Sequence, residues 1–155
     1  MTASRRVERY ELVIIGGGQA GLAAGYHLSR HDIDFVILDA NARVGDSWRQ
    51  RWDGLQLFTP AKYSALPGLS FPGDPYRLPN KDDVADYLEW YAHIHDLPVR
   101  NGVKVSGMTR VDGMYRVETN GSTFEADSVI VATGPFHAPT IPAVSARLSG
   151  YGWCA

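Results

Sequence analysis

One cysteine, Cys154, is all the sequence has, so these residues can form neither an internal disulfide nor a Cys-x-x-Cys redox pair. That scarcity favours a reducing cytoplasm and sets disulfide reduction aside. Nor is there an apolar run near the roughly 18 residues of a membrane span, so no membrane partner is expected. An excess of positive charge is missing too. Fifteen Lys and Arg stand against 17 Asp and Glu, a formal net charge of −2, which leaves no electrostatic footprint for nucleic acid. The five histidines, His27, His31, His93, His95 and His137, have no spacing that makes a metal site. No nucleophile elbow supports a Ser/His/Asp triad, and no catalytic side chain is assigned. Arg5, Arg6 and Arg9 precede glycines rather than an apolar targeting segment, so residues 1–9 read as a flexible, solvated arm. There is no internal repeat.

What is present is an ordinary globular composition, 45% hydrophobic and 21% charged over 155 residues, about one domain's length. From Tyr10 to Ile15 a short β-branched apolar run reads as a parallel strand buried on both faces. Gly16, Gly17, Gly18 and Gly21 follow, and good helix formers continue to Leu28. Phe35 to Asp39 is a second buried-strand pattern, completing a β-α-β unit of about 30 residues.

Gly16-x-Gly18-x-x-Gly21 therefore sits between a strand and a helix. There the first glycine makes a tight turn, the second lets a pyrophosphate approach the backbone, and the third lets helix and strand pack closely. Gln19 and Ala20 open the helix, whose first amides and positive dipole end favour phosphate. Asp39, followed by Ala40, lies about 20 residues beyond the motif, where a carboxylate can accept hydrogen bonds from ribose hydroxyls. Its alternative is a strand-terminal Asp that starts a turn with Asn41. Three glycines alone can be a mere loop, but strand, motif, helix and acid in register point to a dinucleotide.

Residues 40–80 break the β-α-β rhythm. Trp48, Trp52, Phe58, Tyr63, Phe71 and Tyr76 alternate with glycine and with Pro60, Pro67, Pro72, Pro75 and Pro79, so regular structure is not expected, while the aromatics argue for order against something flat. Asn80 before Lys81-Asp82-Asp83 is a helix cap, and Val84, Leu88, Tyr91 and His95 share one helical face. Three short strands then follow, Val103 to Val111, Tyr115 to Thr119 and Thr123 to Ala126. They are separated by Asp112-Gly113 and Asn120-Gly121, two hairpin signals. Ser128 to Ala132 reads as a further buried parallel strand ended by Thr133-Gly134-Pro135.

Val13-Ile-Ile-Gly-Gly-Gly-Gln-Ala-Gly-Leu22, Val44-Gly-Asp-Ser-Trp48 with Arg49, Leu55-Gln-Leu-Phe-Thr-Pro60, and Val129-Ile-Val-Ala-Thr-Gly134 with Pro139 and Pro142 together resemble the flavin-containing monooxygenase group of NAD(P)/FAD-dependent oxidoreductases. The resemblance runs from about residue 10 to residue 142. It implies an α/β, Rossmann-like FAD-binding fold: a parallel sheet with a small antiparallel β-meander insertion, incomplete at its carboxy terminus and followed by an irregular tail over 143–155. It further implies FAD held by Gly16, Gly18, Gln19, Ala20 and Gly21, with Asp39 and Ala40 at the ribose. Gly45, Ser47 and Trp48 would pass beside the flavin, although Trp48 reads equally as a core anchor for its loop. Val105 would meet adenine through its backbone, and Ala132, Thr133 and Gly134 would form the turn under the cofactor.

Members of this group let NADPH reduce FAD and transfer one oxygen atom to a small-molecule substrate through a flavin hydroperoxide. Two departures stand against that pattern. The acid is more often Glu, and Asp39 is one methylene shorter. The Phe-x-Gly-x-x-x-His hallmark is replaced by Leu148-Ser-Gly150-Tyr-Gly-Trp-Cys154, and neither a second Gly-x-Gly-x-x-Gly for NADPH nor a late Gly-Asp segment is present. The competing expectation is a truncated nucleotide-binding fragment without turnover, while a plain NAD-dependent dehydrogenase fits poorly with the hairpin insertion.

Overall fold

The structure is a computed structural model and describes residues 6–135 and 142–143. Pro139, the stretch from Leu148 to Cys154 and all but the start of the expected tail lie outside the described residues. The chain order is β1 (Val7–Ile15), α1 (Gln19–Leu28), β2 (Phe35–Leu38), α2 (Asp46–Arg49), a 3-10 turn (Ala61–Tyr63), α3 (Lys81–Ile94), β3 (Val99–Arg100), β4 (Val105–Val111), β5 (Met114–Thr119) and β6 (Thr123–Val131). These strands form one six-stranded sheet in the order β3-β2-β1-β6-β5-β4. The β3-β2-β1-β6 half is parallel, and β4, β5 and β6 pair antiparallel.

Two expectations are corrected by β6. Thr123 to Ala126 and Ser128 to Ala132 are not a hairpin strand and a separate parallel strand; they are one strand that pairs with β5 along its first half and with β1 along its length. Asp127, the one residue left between the two expected strands, is exposed and lies within β6, so its polarity marks no turn. The same pairing draws in part of the supposed arm. Val7, Glu8 and Arg9 lie opposite Thr123, Phe124 and Glu125, so β1 begins three residues before Tyr10 because β6 supplies hydrogen-bonding partners there.

Strand alternation divides the apolar residues between two cores. Ile14, Phe35 and Ile37 pack with Leu22 of α1 and with Val84, Tyr87, Leu88 and Tyr91 of α3. Val13, Ile15, Val36 and Leu38 point the other way, against Val117, Phe124 and Ala126 of the meander. Helices thus cover one face of the sheet, while on the other β1 and β2 share a second apolar cluster with β5 and β6, which explains why β1 and β2 end in unbroken apolar runs.

Local signals set the connections. Asp112 (φ 51°) and Gly113 (φ 87°) both adopt the left-handed region, as a two-residue type I′ hairpin turn requires. The Asn120-Gly121 hairpin also forms, but by different means: the Thr119 hydroxyl donates to the Ser122 carbonyl (2.7 Å) and accepts from the Gly121 and Ser122 amides (3.2 and 3.1 Å). Asn80 caps α3 as expected, accepting from the Asp82 and Asp83 amides while Asp83 accepts from the Asn80 amide, a complete capping box.

The aromatic segment is ordered largely from α3. The Tyr87 hydroxyl accepts from the Leu66 amide and donates to the Leu69 carbonyl, both at 2.7 Å, and the Tyr91 hydroxyl donates to the Pro67 carbonyl at 2.6 Å. Burial pushes the Tyr91 phenol up to about 12, with Tyr87 and Tyr26 adding to the effect, so it stays a donor through the physiological range. Phe71 is buried in the helix-side core, and Trp48 packs against that core. Trp52, Phe58, Tyr63 and Tyr76, by contrast, face solvent.

Candidate functional site

The carboxyl ends of β1, β2 and β6 meet where the chain leaves β1 toward β2 on one side and later returns as β6 on the other. That is a topological switch point, where open α/β sheets leave a crevice for ligands. The Gly16 amide donates to the Leu38 carbonyl and the Ala132 amide to the Ile15 carbonyl, each at 2.8 Å, so the first glycine is fixed between both neighbouring strands.

The glycines of this turn have different reasons to be glycine. Gly16 has φ 113°, and a Cβ there would collide with the Ala132 carbonyl, so the turn under the crevice and the end of β6 are brought together. A Cβ on Gly21 would collide with the Gly16 carbonyl, which seats α1 against the turn. Gly18, the N-cap of α1, has extended backbone (φ −84°, ψ −169°), and a Cβ there would meet no atom within 4 Å. No side chain of Gly18 caps the helix, so its first amides are left for another acceptor. Gln19 and Ala20, in the first turn, are exposed.

Asp39 follows β2 and is 7% exposed. One carboxylate oxygen, Oδ2, accepts from the Gly17 amide at 2.7 Å; the other, Oδ1, accepts from the Asn41 amide at 2.7 Å and from Asn41 Nδ2 at 2.8 Å. The turn with Asn41 and the contact with the glycine loop therefore coexist. Neither Gly17 nor Asn41 stood out in the sequence as a site residue, although Asp-x-Asn at a strand end is the spacing of an Asx turn. The Asp39 carbonyl accepts from the Val103 amide (2.9 Å) and the Asn41 carbonyl from the Gly102 amide (2.7 Å), so the approach to the meander passes directly beside the acid.

The remaining expected residues lie at two distances from this centre in the chain's connectivity. Ala132, Thr133 and Gly134 follow β6 at its carboxyl end, Thr133 and Gly134 being exposed. Ala40 is exposed next to Asp39, and Val105 opens β4, half-buried against the meander-side core. Ser47 and Trp48 lie in α2, and Gly45 is its N-cap. Gly45 (φ 88°) lies against the Ala85 backbone of α3, where a Cβ would come within 2.5 Å of the carbonyl oxygen. Ser47 is exposed, and Trp48 is half-buried against the helix-side core.

Arg49 holds this segment in place. Its guanidinium donates to the Val44 carbonyl (2.8 Å), Asp46 (3.2 Å), Asp86 (2.9 Å) and Glu89 (2.7 Å), tying α2 to α3. Lys81 adds a bond from Nζ to the Arg49 carbonyl at 2.9 Å. Among the described residues no group of three metal-ligating side chains forms, and no helix is long and apolar enough to cross a membrane.

Comparison with known proteins agrees with this geometry. A family model described as pyridine nucleotide-disulphide oxidoreductase matches residues 13–149. An oxidoreductase named CzcO-like from Geobacillus kaustophilus is 45% identical over 139 residues, covering 90% of this chain and 40% of that protein. CzcO of Bacillus subtilis is 37% identical over 140 residues, 90% of this chain and 41% of its own. Among solved structures, a flavin-containing monooxygenase from Stenotrophomonas maltophilia superposes with a TM-score of 0.81 at 35% identity, over 89% of this chain and 43% of that one. A bacillithiol disulfide reductase from Staphylococcus aureus shares the fold at 22% identity, with a TM-score of 0.76. The expectation that disulfide chemistry is set aside concerns these 155 residues, whose one cysteine cannot form a pair. The chain spans about 40% of the length of the curated relatives it matches. With its glycine turn at the sheet's switch point and its antiparallel meander continuing the parallel sheet, the chain belongs to the pyridine nucleotide-disulphide oxidoreductase family, with CzcO-type oxidoreductases and flavin-containing monooxygenases among its relatives.

Proposed function

We propose that this chain is the FAD-binding part of an NAD(P)H-dependent flavin oxidoreductase, a monooxygenase that transfers one oxygen atom from O2 to a small-molecule substrate. The observation that carries the reading is the open space at Gly18 beside a buried Asp39 at the switch point. A dinucleotide fits these residues: the α1 amides and Gly16, Gly18, Gln19, Ala20 and Gly21 suit a pyrophosphate, and Asp39 with Ala40 suits a ribose. Val105, Ala132, Thr133 and Gly134 are assigned to the adenine side and the floor, and Gly45, Ser47 and Trp48 to the flavin side. FAD, when bound, supplies the redox and oxygen chemistry; the work of these residues is to bind it, orient it and exclude water. NADPH is the assigned reductant of the whole enzyme, at a site outside this glycine turn.

A nucleotide-binding module without turnover of its own is the second reading. It is favoured by the single Gly-x-Gly-x-x-Gly among these residues.

Flavin titrations test the assignment. FAD is expected to bind in preference to FMN, because only FAD carries the second phosphate and the ribose that the glycine turn and Asp39 would contact. FMN binding as tightly as FAD, or NAD displacing FAD stoichiometrically, would overturn it.

A further inference from the structure

We propose that Asn41 is a second ribose-reading residue, which presents its side-chain carbonyl to one hydroxyl of the adenosine ribose while Asp39 accepts from the other. The inference rests on the nucleotide site described above and concerns how that site counts acceptors.

An ionised carboxylate offers about four acceptor positions, two on each oxygen. In this chain three are taken. Oδ1 accepts twice, from the Asn41 amide and Asn41 Nδ2, and Oδ2 accepts once, from the Gly17 amide. Asp39 therefore has one acceptor position left, on Oδ2. A ribose diol has two O–H groups to donate, and a single remaining position satisfies one of them.

Asn41 supplies the other. Its Nδ2 is turned to Asp39 Oδ1, which fixes the amide and assigns its opposite end as the carbonyl. Its main-chain amide and carbonyl are already engaged, with Asp39 and with the Gly102 amide, so the residue is held at both ends. The side-chain Oδ1 accepts no hydrogen bond among the described residues. Asn41 is only partly buried, and so can be reached by a ligand. A shorter acid with Oδ1 already twice occupied is thus completed by a neutral amide two residues on, and the two free acceptor positions equal in number the two donors of a vicinal diol.

The test is binding of ADP, 2′-deoxy-ADP and 3′-deoxy-ADP to the 155-residue chain by calorimetry, with wild type, Asn41→Leu and Asn41→Ala compared. In wild type both deoxy analogues are expected to bind more weakly than ADP. The hydroxyl read by the neutral amide should be worth roughly twofold to tenfold, and the one read by the carboxylate about tenfold to a hundredfold. In both Asn41 variants the smaller penalty should vanish and the larger remain. Two penalties unchanged in the variants would overturn the proposal, since Asn41 would then read nothing. Loss of both penalties would also overturn it, because Asn41 would only be holding Asp39 in place. A wild-type chain that binds ADP without distinguishing the analogues overturns the proposal and the ribose assignment while leaving the nucleotide site, whereas one that binds no ADP removes the nucleotide site itself and the proposal with it.

Discussion

At the scale of single residues, Gly18 and Gly21 look alike in the motif and differ in the structure. Gly21 faces the Gly16 carbonyl with no room for a methyl group, so Gly21→Ala is expected to destabilise the fold by about 1–3 kcal/mol through overpacking. Gly18 has backbone angles any residue tolerates and open space where its Cβ would be. Gly18→Val should therefore leave the thermal midpoint close to wild type and still abolish measurable FAD or ADP binding, because the added side chain fills the space assigned to pyrophosphate. Thermal melts and ligand titrations on both variants separate the two roles. A Gly18→Val chain that binds like wild type would show that the phosphates sit elsewhere. Asp39 was legible both as a candidate from its place after a strand and as the start of a turn with Asn41; that the two coexist, with the Gly17 amide also bonded, was not, since spacing does not say which lone pairs a fold has already used.

At the scale of elements, what could be read was what is local. The α3 cap was visible because Asn80 and Asp83 are three residues apart and satisfy each other's amides. The single strand β6 was not, because its continuity depends on Val7 to Arg9, more than a hundred residues away, lending β1 the length to pair with it. The cap also yields a pH dependence. The Arg77 guanidinium, bonded to Asp83 at 2.7 and 3.0 Å, holds that carboxyl below its usual range, and the Asn80 amide lowers it further against the opposing cost of burial. A carboxyl whose folded pKa is depressed adds stability that is fully present above its unfolded value, near 3.8, and lost as pH falls through the folded value. Asp83→Asn should accordingly melt below wild type at pH 7, and the gap should close as pH drops beneath about 4. Melting curves from pH 2.5 to 7 give the comparison; a gap that is constant with pH would mean the charge of Asp83 contributes nothing to the cap.

At the scale of the whole molecule, one six-stranded sheet, helix-covered on one face, carries the site proposed for a dinucleotide. The first β-α-β unit announced it, and the meander distinguished it from a plain dehydrogenase. Hydride transfer from NADPH needs the nicotinamide held face to face with the acceptor, and orientation of that kind comes from a second binding site rather than from encounter in solution. Within these 155 residues the Gly-x-Gly-x-x-Gly pattern occurs once, and the turn it forms is the one assigned to FAD. The 155-residue protein with added FAD is therefore expected to show no NADPH-dependent oxygen uptake above the background of free flavin. An oxygen electrode reads this directly, with FAD alone and NADPH alone as controls and with Gly18→Val to remove the bound fraction. Turnover that persists in wild type and disappears in Gly18→Val would place both cofactors at this one domain, and the nicotinamide would then have to be held by the surface around the crevice.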